Sequence, residues 1–293
     1  MAEQKIELRR IRDFGEVISD TFVFLRQHAG PLLKSFLAIS AVFMIALGIF
    51  NSAYESRTSK LLRGIFTGRS SSLDRLGTIF NINYFMVLLF TLLTTISMQV
   101  IVAVYMKYYL EHKQQPGIQD IWTLFKRYFI KVFFFELLAY LAIIFGCIFC
   151  LLPGIYLGVV LAPLSLVIVM EDKGFQDSWQ RCFDLIRENF WPSLGLYIVA
   201  YILYAIGAGI IAGSMGIIGL LGGYLTTSDL GTYVVAITAF IKSFSLFFYI
   251  IYFICIALNY FSLVERRDGT GLLGRIDTIG NNFTGPRESE EQF

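Results

Sequence analysis

Glu136 is the residue whose type and setting could most readily do chemistry. No Asp, Glu, Lys or Arg follows it until Glu171, so its carboxyl group lies in a stretch suited to hydrocarbon rather than water. An ionisable group at such a depth is costly and marks a functional site by default. Gln99 lies at a similar depth in another apolar stretch. In contact, Glu136 and Gln99 would form an intramembrane polar site able to bind a ligand or carry a proton. The plainer reading, which is preferred, is that they hydrogen-bond between helices and fix their packing.

Other candidates for chemistry are weaker. Cys147-Ile148-Phe149-Cys150 has the spacing of a redox or metal pair. It lies in an apolar helix with no histidine or second pair nearby, so packing is its expected role. The two histidines, His28 and His112, fall on separate connecting segments. There is no Ser/His/Asp set, no His-Glu-x-x-His and no paired acidic motif. No catalytic residue, metal or cofactor is therefore expected. A net charge of +2 gives no footprint for nucleic acid.

Residues such as Glu136 need helices in a bilayer to position them. Of the 293 residues 56% are hydrophobic and 16% charged, against about a quarter charged in ordinary domains. The charges are segregated. None falls in Ser35–Tyr54, Leu76–Met106, Leu137–Met170, Asn189–Ser228 or Ser243–Val264, and about 20 apolar residues cross the hydrocarbon core. Six spans are expected, at about 32–50, 83–106, 129–150, 154–170, 192–212 and 234–261. They form a single membrane domain, 1–264, followed by a polar, partly disordered tail, 265–293. The third and fourth spans share one long run, and the turn between them is placed at Pro153 and Gly154. In the glycine-rich run after Gly207, Gly209 and Gly213 have the small-xxx-small spacing of close helix packing. A re-entrant segment after Ala212 is the alternative there.

Three amphipathic segments, at about 14–28, 117–128 and 175–190, precede the odd-numbered spans. In the first, Phe14, Val17, Ile18, Phe22 and Leu25 share a face. The second and third both open on Gly-x-Gln-Asp-x-Trp, at Gly117 and Gly174. Matching their ends as well requires four residues to be missing from the middle copy. Pro31 and Pro192 close the first and third. Trp122, Trp179 and Trp191 fall where a membrane boundary is expected. These helices read as interfacial, and the chain as three repeats of an interfacial helix plus a helical hairpin.

The repeat returns every amphipathic helix to one side. Of the 24 Lys and Arg, eighteen lie on that side. Five (Arg57, Lys60, Arg63, Arg69 and Arg75) lie on the other, and Lys242 sits near the outer end of the sixth span, placed to snorkel outward. The positive-inside rule then puts both termini in the cytoplasm. The first thirty residues hold no apolar core of a cleavable leader.

The stretch Leu151-Leu152-Pro153-Gly154-Ile155-Tyr156-Leu157-Gly158, then Glu171, Ser178, Leu185 and Asn189-Phe190-Trp191, resembles the membrane domain fused to some bacterial glycerophosphoryl diester phosphodiesterases and related free-standing bacterial membrane proteins. The resemblance covers about Gly117 to Tyr201. It implies a bacterial inner-membrane location and an all-α fold. It implies no activity here, because in the fused proteins the chemistry belongs to a separate soluble domain. The expectation is an all-α, multi-pass, non-enzymatic protein in contact with membrane lipid, acting as a scaffold or partner-binding module. A transporter or lipid-handling protein using Glu136 and Gln99 is the alternative.

Overall fold

The computed structural model describes residues 6–66, 77, 80–225 and 228–269. These are 91% helical with no strand, and six helical stretches are long and apolar enough to cross a membrane. The helices are α1 (Phe14–Phe66), α2 (Ile82–His112), α3 (Ile118–Phe149), α4 (Leu151–Leu161), α5 (Leu164–Glu171), α6 (Phe175–Ile186), α7 (Phe190–Leu225), α8 (Ser228–Ser243) and α9 (Tyr249–Asp268). Short 3-10 turns join α6 to α7 and α8 to α9. Arg69 and Arg75, and the tail beyond residue 269, lie outside the described residues.

Two of the three expected boundaries between interfacial helix and span are not helix ends; the third falls beside the 3-10 turn Arg187–Asn189 between α6 and α7. α1 is one 53-residue helix with Pro31 inside it. A proline removes one backbone donor and kinks a helix more readily than it ends one when both flanks are apolar helix formers. The buried positions Val17, Thr21, Phe24, His28, Leu32, Ser35 and Ile39 keep three-and-four spacing through Pro31, so one packed stripe holds both halves in phase. Phe14 and Phe22, placed on that stripe by sequence, are instead 45% and 44% exposed beside it. α3 likewise runs unbroken from Ile118.

The amphipathic segments share a starting register. The backbone N–H of Asp13 donates to Glu16 Oε2, and that of Gly117 to Asp120 Oδ2, each at 3.0 Å. Gly174 is likewise an extended N-cap with Asp177 three residues on. Counting from these caps, Val17, Ile121 and Ser178 are buried, as are Thr21, Phe125 and Cys182, and then Phe24, Tyr128 and Leu185. The match needs no gap, which corrects the four-residue deletion: helical phase ties Phe125 to Cys182, not to Ile186.

The core is an inner row of even-numbered spans. Ile96–Met106 of α2 and Phe253–Leu263 of α9 are buried on every side, as is all of Leu164–Val169 in α5. A helix apolar all round belongs inside. α2 packs against α5 and α9, while α1, α3, α6 and α7 lie around them. The burial concentrates at the end carrying the amphipathic helices, the collared end.

Two spans are broken. The fourth is α4 and α5, parted at Ala162 and Pro163, and the sixth is α8 and α9, parted by the 3-10 turn Phe244–Phe248. The turn between third and fourth spans is Cys150 alone, in extended conformation. Pro153 and Gly154, expected to form it, occupy the first turn of α4, where a missing N–H costs nothing. Gly154 is needed for a different reason. A Cβ there would lie 2.8 Å from the Cys147 backbone nitrogen, so its absence lets α3 and α4 cross closely.

Glycine packing elsewhere also differs from expectation. Gly209 and Gly213 face open space, with nothing within 4 Å of where a Cβ would lie. The close approaches are at Gly207 against Phe248, Gly219 against Thr238 and Gly222 against Val234. Spacing alone does not fix which side of α7 meets α8, and α7 continues as regular helix past Ala212. Lys242 does not snorkel free: its Nζ pairs with Glu55 Oε1 at 2.8 Å. Asn51 Nδ2 donates to the Ala239 carbonyl at 3.0 Å, supporting α8 just before its break.

The segment just before α1 is tied to α9. The Arg12 backbone N–H donates to Ser262 Oγ at 3.0 Å, and Arg266 donates to the Arg12 carbonyl at 2.9 Å. The Arg12 guanidinium is buried and pairs with Asp20 at 2.7 Å. α9 continues to Asp268 with Glu265 buried, so residues 265–268 belong to the packed body and not to the tail.

Candidate functional site

The intramembrane polar site is built around α5. The break at Pro163 leaves the first-turn N–H groups of this eight-residue helix without partners of their own. The backbone N–H of Ser165, in that first turn, approaches the Glu136 carboxylate from α3. A carboxylate at a helix N-terminus is favoured by the macrodipole. At the other end of α5, Lys107 from α2 donates to the Val169 carbonyl at 2.7 Å and to the Tyr128 hydroxyl at 2.9 Å. A short buried helix is thus held by an acid at its positive end and a base at its negative end.

Glu136 is 5% exposed and Gln99 6%. Tyr140, one turn along from Glu136, interacts with both side chains. Glu136 Oε1 and Gln99 Oε1 are buried and accept no hydrogen bond. A buried acceptor without a donor costs about 1–3 kcal/mol. Two such oxygens suit a ligand that brings a donor or a positive charge: a proton, an ammonium group or a cation. No hydrogen bond joins Glu136 to Gln99; Tyr140 lies between their interactions.

Beside the collared ends of α2, α5 and α9 lies a cavity of about 410 Å³, which sequence reasoning missed. Its lining includes Lys107, Glu171, Arg181 and Asp268. Arg181 bonds Glu171 at 3.0 Å and also pairs with Asp268. Lys173 pairs with Glu171 at 2.6 Å, and the Tyr260 hydroxyl donates to the same carboxylate at 3.1 Å. The signal was a set of charges closing three different spans, visible only once those spans converge. Next in the chain to Glu171, Asp172 accepts from Lys131 at 3.1 Å and Arg127 at 3.2 Å. Its carboxyl is held below the ordinary range, first by the Lys131 hydrogen bond.

The three tryptophans occupy different settings. Trp191 is 77% exposed. Trp122 is exposed, with Lys126 Nζ 4.7 Å from its ring centre. Trp179 is half-buried beside Phe175 and Phe183. Cys147 and Cys150 are exposed at the tip of the α3–α4 hairpin and unbridged. Among the described residues, no group of three His, Cys, Asp or Glu is placed to hold a metal.

Six apolar helices with polar groups enclosed between them are those of a multi-pass helical membrane protein. No protein-family model, curated protein or solved structure matches the chain.

Proposed function

We propose that the chain is a non-enzymatic bacterial inner-membrane protein, with both termini in the cytoplasm, that serves as a membrane scaffold or partner-binding module. One observation carries this reading: α2, α5 and α9 bury their collared halves on every side, as a rigid support would. The orientation rests on charge. The topology read from the sequence assigns eighteen Lys and Arg to the inner side against five to the outer. The bacterial membrane rests on the resemblance around Leu151–Gly158. Exposed aromatics on the collar, such as Phe14 and Trp122, suit contact with lipid headgroups.

A second reading, a transporter or lipid-handling protein, draws on the two unpartnered oxygens of Glu136 and Gln99 at a broken helix. Native mass spectrometry after mild detergent extraction separates the two, applied to the wild type and to Glu136→Gln. A scaffold retains a protein partner in defined stoichiometry in both forms. Bound small molecule or lipid in place of a protein, lost on Glu136→Gln, would reject the scaffold in favour of transport.

A further inference from the structure

We propose that the cavity at the collared end binds a phosphate ester, with Lys107 and Arg9 as its anion-holding groups. Its charges fall into two sets. Glu171 and Asp268 are neutralised within the fold by Lys173 and Arg181. The remaining charges are Arg9, Lys107 and Glu111, a net positive balance. Lys107 is half-buried, and its hydrogen bonds go to two neutral oxygens, a phenol and a peptide carbonyl. No carboxylate lies within salt-bridge distance of its ammonium or of Arg9 among the described residues. A half-buried cation whose hydrogen bonds go only to neutral acceptors, with the Asp172 carboxylate acting on it from beyond bonding distance, gains from a bound anion, and Lys and Arg side chains both bind phosphate.

Size and lining narrow the ligand. The cavity of about 410 Å³ falls within the range of small-molecule sites, about 300–1,000 Å³, and exceeds what a bare phosphate needs. Leu110, Phe261 and Val264 line it beside the cations, giving apolar surface for the organic part of an ester. A lipid headgroup and a soluble phosphate ester share this chemistry. The site does not depend on the scaffold reading.

The test uses the full chain in phosphatidylcholine nanodiscs, titrated calorimetrically with inorganic phosphate at constant ionic strength. Matched nanodiscs containing phosphatidylglycerol are analysed for lipid retained on extraction. Binding of phosphate assigns a soluble ester, and selective retention of phosphatidylglycerol assigns a headgroup. In either arm Arg9→Gln and Lys107→Gln each weaken binding about tenfold. Lys107 also anchors α5, so Arg9→Gln is the variant that leaves the fold intact. No binding in either arm, or binding unchanged in Arg9→Gln, overturns the proposal.

Discussion

Glu136 and Lys107 hold opposite ends of one short helix, and only one of them stood out in the sequence. Glu136 is isolated by charge-free residues on its C-terminal side, so its burial could be read from its neighbours. Lys107 ends an apolar run, where lysines ordinarily meet water. Its role appears only when Val169, sixty-two residues away, is brought to it. Asp172 is a second case hidden by distance in the chain. Lys131 holds its carboxyl down, so the stabilisation is complete above the ordinary carboxylate range and is lost as pH falls through the lowered value. Asp172 is largely exposed, and screening keeps the effect well below about 1 kcal/mol. Unfolding midpoints measured from pH 7 to pH 3 should fall less for Asp172→Asn than for the wild type. Asparagine keeps the left-handed backbone of this position, φ 49°, so the comparison isolates charge.

Among the elements, number and type were legible and continuity was not. Charge-free runs announce spans because the bilayer forbids unpaired charge. Helix breaks depend on what satisfies the freed backbone groups, and neighbours supply that. Pro31 does not interrupt α1 because the buried stripe crosses it in phase. Pro163 does separate α4 from α5, where Glu136 meets the freed N–H of Ser165. The glycines of α7 follow the same logic. Gly207 lies with Phe248 Cδ1 2.5 Å from where a Cβ would be, whereas Gly209 has open space. Gly207→Leu should destabilise the fold by about 1–3 kcal/mol through overpacking. Gly209→Leu should leave the melting temperature within a degree or two of wild type, and equal effects would place the contact between α7 and the Phe244–Phe248 turn elsewhere.

At the scale of the whole molecule, the collar requires its three amphipathic segments to lie at one membrane surface. Gln119 and Gln176 are exposed on two of them. In a background with Cys147 and Cys150 changed to serine, Gln119→Cys and Gln176→Cys should react with an impermeant maleimide from the same side. Labelling from opposite sides would break the six-span topology. This level was the most legible, since an even number of crossings follows from amphipathic segments recurring between apolar pairs. The cavity was the least legible, because it exists only where three separate spans end together.

The tie between Arg12 and Ser262 joins residues 250 positions apart, and that separation sets an order of events during synthesis. A ribosome adding about 5–20 residues per second finishes the segment holding Ser262 about 10–50 s after the one holding Arg12. Until then the Arg12 backbone lacks its partners on α9, while its guanidinium already holds Asp20 and the carbonyls of Glu7 and Leu8. The newborn chain is therefore inserted open, and the segment around Arg12 locks only when α9 arrives.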